Sequence, residues 1–157
     1  CTLFTMNTTS NKVALMATLH CLTGCAIGEV LGMIISSALN WDAMPSIVLS
    51  VSLAFLFGYT FSMIPLLRNG IALQKALTLV LAADTISIAV MEIVDNSFIA
   101  IVPGAMDAGL DTFLFWISLA LSLLAAFIVA FPVNKYLIGR GMGHAVVHQY
   151  HQRHNHH

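Results

Sequence analysis

Four long apolar runs, at residues 13–39, 45–67, 76–102 and 112–134, are separated by short polar breaks. A bilayer core roughly 30 Å thick takes about 20 helical residues to cross, and each run is long enough. The breaks carry turn punctuation: Asn40-Trp41-Asp42 before Pro45, Arg68-Asn69-Gly70 after the second run, and Pro103-Gly104 after the third. The pattern predicts an all-α, four-helix transmembrane bundle. No basic segment with a cleavage site precedes the first run, which reads as a retained helix and not as a signal peptide. Each half pairs a polar-bearing helix with a plain one, a faint sign of hairpin duplication.

Within the first run, a rotation of about 100° per residue sorts the polar and small residues into two adjacent stripes. His20, Gly24, Gly28, Gly32 and Ser36 form one; Cys21, Cys25, Glu29 and Met33 form the next. The glycine stripe is a doubled small-xxx-small pattern, whose ordinary meaning is close approach of another transmembrane helix, within the chain or across a homo-oligomer or membrane complex. The third run carries Asp84, Glu92 and Asp95. With Asp84 at zero, Ser87, Met91, Asp95 and Glu92 fall at about −60°, −20°, +20° and +80°, one acidic face. Asp95, next to Asn96, reads equally well as hydrated near the outer surface. The second and fourth runs hold no charged residue and read as scaffold, with Pro65 and Pro132 near their far ends.

Composition agrees with a membrane-embedded chain: of 157 residues, 59% are hydrophobic and 8% charged, with a mean hydropathy of +0.89. The six Lys and Arg (Lys12, Arg68, Lys75, Lys135, Arg140, Arg153) all fall on one side of an even-numbered bundle, and Asp42, Asp107 and Asp111 on the other. The positive-inside bias then puts both termini in the cytoplasm. Near-zero net charge without a basic face excludes a nucleic-acid partner; the lipid bilayer is the expected one. Three cysteines, two of them in one apolar helix, do not form an extracellular disulfide framework. Residues 1–143 are expected to form the transmembrane domain, and 144–157 a His-rich cytoplasmic tail.

The candidate chemistry lies in the first and third runs. A carboxyl deep in the bilayer is costly and marks a functional site by default. Soft thiolate and thioether ligands favour monovalent copper, and imidazole extends the choice to zinc. As core fillers Cys and Met are equally ordinary, and a lone buried histidine is commonly hydrogen-bonded to a neighbouring helix. Counted from the midpoint of each run, Cys25, Glu29 and Asp84 lie within roughly 5 Å of the midplane and would face one another. Such groups must then share protons, bind a cation or line a wet cavity. In the tail, His144, His148 and His151 share a helical face, a metal-capture pattern or simply a soluble, pH-responsive one.

The stretches LHCLTGCAIGEVLGM, LAADTISIAVMEIVDN, VPGAMDAGL and FPVNKYLIGRGMGHAVVH resemble those of a family of small bacterial and archaeal integral-membrane proteins defined only as a domain of unknown function, number 4396. That resemblance implies the four-helix architecture and a prokaryotic cell membrane, and no chemistry. The residues alone suggest soft-metal handling, copper first and zinc second, with His20, Cys21, Cys25, Glu29, Met33, Asp84, Glu92, His144, His148 and His151 as ligands. An accessory subunit of a copper-dependent oxidase or monooxygenase is the alternative, and a proton or cation pathway along the acidic face a third. No catalytic activity of the chain by itself is expected. Thiol oxidoreduction is disfavoured, because Cys21 and Cys25 sit one turn apart in a helix where a disulfide is hard to close.

Overall fold

The structure, a computed structural model, describes residues 2–68 and 70–140, and their side chains except at 2–10, 13 and 79. Four helices follow in order: α1 (Thr2–Ala38), α2 (Ala43–Arg68), α3 (Leu73–Ile101) and α4 (Phe113–Gly139). Each contains a stretch long and apolar enough to cross a membrane. Large apolar side chains cover the outside of all four, among them Met16, Val48, Ile93 and Ile128, as a lipid-facing surface requires. α1 starts well before the apolar run because Thr2–Lys12 contains neither Pro nor Gly to stop it. α4 runs past Pro132.

The predicted punctuation ends the helices by a common device. Asn40, with φ 52°, follows α1; its amide donates to Ser37 O, and the Trp41 amide to Ser36 O. Gly70, with φ 78°, repeats the arrangement after α2, the Ile71 amide reaching Leu66 O. Both are Schellman turns, which satisfy carbonyls a helix end leaves bare and need a residue that tolerates positive φ. At the start of α4, the Phe115 amide donates to the Thr112 hydroxyl at 3.3 Å, an ordinary N-cap.

The glycine stripe of α1 meets a stripe that α2 carries itself. Buried residues on α2 recur every fourth position: Ser46, Ser50, Ala54, Gly58, Ser62 and Leu66. Gly24 lies opposite Gly58, Gly28 opposite Ala54 and Gly32 opposite Ser50, an antiparallel seam close enough for backbone-to-backbone contact. Of the two partners the stripe left open, α2 of the same chain is the one that packs against Gly24, Gly28 and Gly32. The ring closes through α2–α3, α3–α4 and α4–α1 contacts, and α1 also meets α3 across the middle. Cys21, Cys25, Ala54, Ile88, Met91, Ala126 and Ala130 form the central core.

One buried polar bridge ties α1 to α4. Asn134 Nδ2 donates to Thr18 Oγ1 at 2.8 Å, and that hydroxyl donates to Ala14 O at 2.7 Å. Such interhelical bonds are worth about 0.6–1.7 kcal/mol in membranes, a modest gain because the separated helices also find partners for their polar groups. Asn134→Ala is expected to lower unfolding stability by about 1 kcal/mol in detergent titrations.

Candidate functional site

The chemistry-bearing faces of α1 and α3 meet inside the bundle. Glu29, Asp84, Glu92 and Asp95 are exposed by only 7%, 3%, 5% and 2%, and Cys21 and Cys25 are fully enclosed. Since α1 and α3 run in the same direction, the groups stack in levels. Cys21 has Asp84 as a near neighbour and hydrogen-bonding reach to Ser87 of α3 and Ser62 of α2. One turn along, Cys25 reaches the Glu92 carboxyl. One turn further, Glu29 and Asp95 lie within hydrogen-bonding reach of each other, and Asp95 also of Ser122 on α4. Asn96 donates to Glu92 at 3.5 Å, a weak contact, and to its backbone carbonyl at 2.9 Å.

This register revises the depth count. Glu29 pairs with Asp95, whereas Asp84, a neighbour of Cys21, lies about three turns or roughly 16 Å back along α3 from Asp95. Asp95, weighed as a hydrated group near the surface, is buried, and it belongs to the site although its neighbours drew the attention. Ser62, Ser118 and Ser122 come from helices that read as scaffold, and no sequence signal distinguishes them from hydroxyls bonded to their own helix.

A cavity of about 400 Å³ leads to the Glu29–Asp95 level. Its mouth lies between the α1–α2 turn, at Asn40 and Trp41, and the α3–α4 loop, at Met106 and Asp107. Met33, Ile47, Phe115 and Leu119 supply apolar wall; Ser50 and Ser118 add hydroxyls. Three lining residues are acidic, Glu29, Asp95 and Asp107, and none is Lys, Arg or His. At the opposite end the column is closed by apolar packing of Leu66, Ala76 and Val80 with Tyr59 and Met63, and of Ala14, Ala17 and Ile138 with Phe131.

Several acceptors in this interior lack a fixed donor. Neither Glu29 oxygen, nor Asp95 Oδ1, nor the Ser118 hydroxyl has a hydrogen-bond partner among ordinary donors of the described residues. The described cations Lys12, Arg68, Lys75, Lys135 and Arg140 are all exposed and lie near the ends of the membrane-spanning stretches. Two carboxyls in contact away from water cannot both stay charged on their own: they share a proton, or a cation arrives.

The remaining predicted residues separate from this cluster. His20 is half-buried, with Nδ1 2.7 Å from Met16 O on its own helix. Met33 lines the cavity beside Glu29. His144, His148 and His151 lie outside the described residues. Among the described residues no three His, Cys, Asp or Glu side chains are set to hold a metal ion. Enclosure of Cys21 and Cys25 has a direct consequence: on a Cys1→Ser background, N-ethylmaleimide is expected to leave both thiols unlabelled in the native bundle and to label both after denaturation, as read by mass spectrometry.

Fold and site together define a polytopic α-helical membrane protein with an acidic interior approached from one end. The chain belongs to the family described as "Domain of unknown function (DUF4396)", whose model matches residues 10–143. No curated protein and no solved structure matches it.

Proposed function

We propose that this protein handles cations in a prokaryotic cell membrane, accepting a proton or cation from the cavity onto Glu29 and Asp95 and relaying protons inward through Glu92, Cys25 and Asp84. The observation that carries this reading is the stack of four buried carboxyls whose outermost pair alone lines a cavity without a cationic side chain. Intramembrane acids commonly serve as relay groups. With all six Lys and Arg on the cytoplasmic side, the cavity opens outward and the apolar closure faces the cytoplasm. Reconstituted vesicles carrying an internal pH dye test the reading. An imposed pH gradient should collapse faster with the protein than without it, and identical decay overturns the proposal.

A second reading, soft-metal handling, draws on Cys21 and Cys25, which lie one turn apart on the same buried column. The two thiols would supply soft ligands for copper, or for zinc. Metal content of protein isolated from its native membrane decides, with Cys21→Ser and Cys25→Ser compared. Metal that stays unchanged in the double variant removes this reading.

A further inference from the structure

We infer that the cavity is a binding site for a small organic ammonium ion, a primary amine carrying an apolar group, with Glu29 and Asp95 as its counter-charge. The inference rests on the cation-handling reading and names the ligand class for the same site. Three observations support it, the first drawn from the acid pair and Ser118, the other two from the space and the wall around them.

The first is the unmet acceptors. Apart from a proton the two acids can share, Glu29 Oε1 and Oε2, Asp95 Oδ1 and Ser118 Oγ are buried without a hydrogen-bond partner and belong to residues that line the cavity. An ammonium group brings three N–H donors and no acceptor. Its three donors suit such acceptors, and its single charge balances the acid pair when the two carboxyls share one proton.

The second is size. The cavity holds about 400 Å³, within the range of about 300–1,000 Å³ typical of small-molecule pockets and far larger than a bare ion needs. The third is the wall. Met33, Ile47, Phe115 and Leu119 flank the approach, and Trp41 stands at the mouth, so an apolar substituent leaves water as the charge reaches the carboxyls, and the indole face favours a passing cation. A cation carrying its own apolar body suits this lining better than one needing a full oxygen shell. The acidic lining also repels anions, so carboxylate-bearing amines are disfavoured.

Benzylammonium and its neutral counterpart benzyl alcohol are the probes, with the full chain in lipid nanodiscs and affinity read by calorimetry. Benzylammonium should bind saturably and at least about tenfold more tightly than the alcohol, since only the cation can pair with the buried carboxyls. Glu29→Gln should weaken the amine by about tenfold or more and leave the alcohol unchanged. Trp41→Ala, at an exposed position where folding is not at stake, should weaken the amine by a smaller factor. Equal binding of amine and alcohol, displacement of the amine by sodium at the same concentration, or an affinity indifferent to both variants overturns the inference. Vesicle proton flux separates this from the parent reading: flux without amine binding sinks only the ligand class, and neither flux nor binding sinks both.

Discussion

Gly28→Leu is expected to yield no folded bundle. The seam between α1 and α2 is a contact of backbones: a methyl built on Gly28 would fall on the Ala54 amide, and one on Gly24 would lie 2.5 Å from the Gly58 Cα. A flexible side chain can turn away from such an intrusion; a helix backbone can only be pushed off. Overpacking an ordinary core costs about 1–3 kcal/mol because neighbours shift into strained positions. Here the intrusion would pry α2 from α1 along its length. That displacement would also dismantle the level where Ser62 approaches Cys21. Size-exclusion profile and helical content after mild detergent extraction should show aggregated or degraded chain for Gly28→Leu. Gly28→Ala should fold with a lowered melting temperature. Gly139→Ala, with nothing within 4 Å of the added methyl, should match the parent. A folded, monodisperse Gly28→Leu protein would mean that the two helices are not in backbone contact.

The second large effect concerns the acid pair. Glu29→Gln and Asp95→Asn should each reduce vesicle proton flux by roughly tenfold or more, because an amide keeps the shape of the side chain but cannot exchange a proton as an intramembrane relay must. Both variants should fold. They replace a buried, donor-poor carboxyl with a group whose NH₂ can donate to the remaining acid, so stability should hold or rise. Asp42→Asn, exposed at the start of α2 and outside the cavity lining, is the matching control and should retain parental flux. The combination of normal stability and lost flux distinguishes a functional pair from a structural one. Flux that survives both substitutions would leave the carboxyls without the assigned role.

The architecture was legible because the bilayer imposes a length that apolar runs display directly. Asn40 and Gly70 marked their helix ends because only residues tolerant of positive φ close that turn. The glycine stripe announced a close contact, yet its partner stayed hidden. α2 contains Ser50, Ala54 and Gly58 amid many other small residues, and only the every-fourth-position recurrence of buried ones reveals the matching stripe.

The site was legible in its residue types and less so in its register. Depth counted from run midpoints brought Glu29 and Asp84 together, while packing joins Glu29 to Asp95. The two candidates, Asp84 and Asp95, lie about three turns apart on α3, and hydropathy varies too slowly along a helix to fix its register against a neighbour. Asp95 was discounted because Asn96 beside it suggested water. A cavity does lead to that level, but from the end of the bundle and not from its lipid-facing side. His20 illustrates the converse: a rare residue in an apolar helix is accommodated by the carbonyl one turn back.

The most direct test of the account is whether a water-soluble cation reaches position 29 from within the membrane-spanning bundle. On a cysteine-free background, Glu29→Cys should react with an ethylammonium methanethiosulfonate reagent added to nanodisc-embedded protein, and faster than with the anionic sulfonatoethyl analogue, because the approach is acidic. Ile93→Cys, on the lipid-facing side of α3, should stay unreactive with both. A Glu29→Cys thiol as inert as the one at position 93 would contradict the existence of an aqueous route to the buried acids.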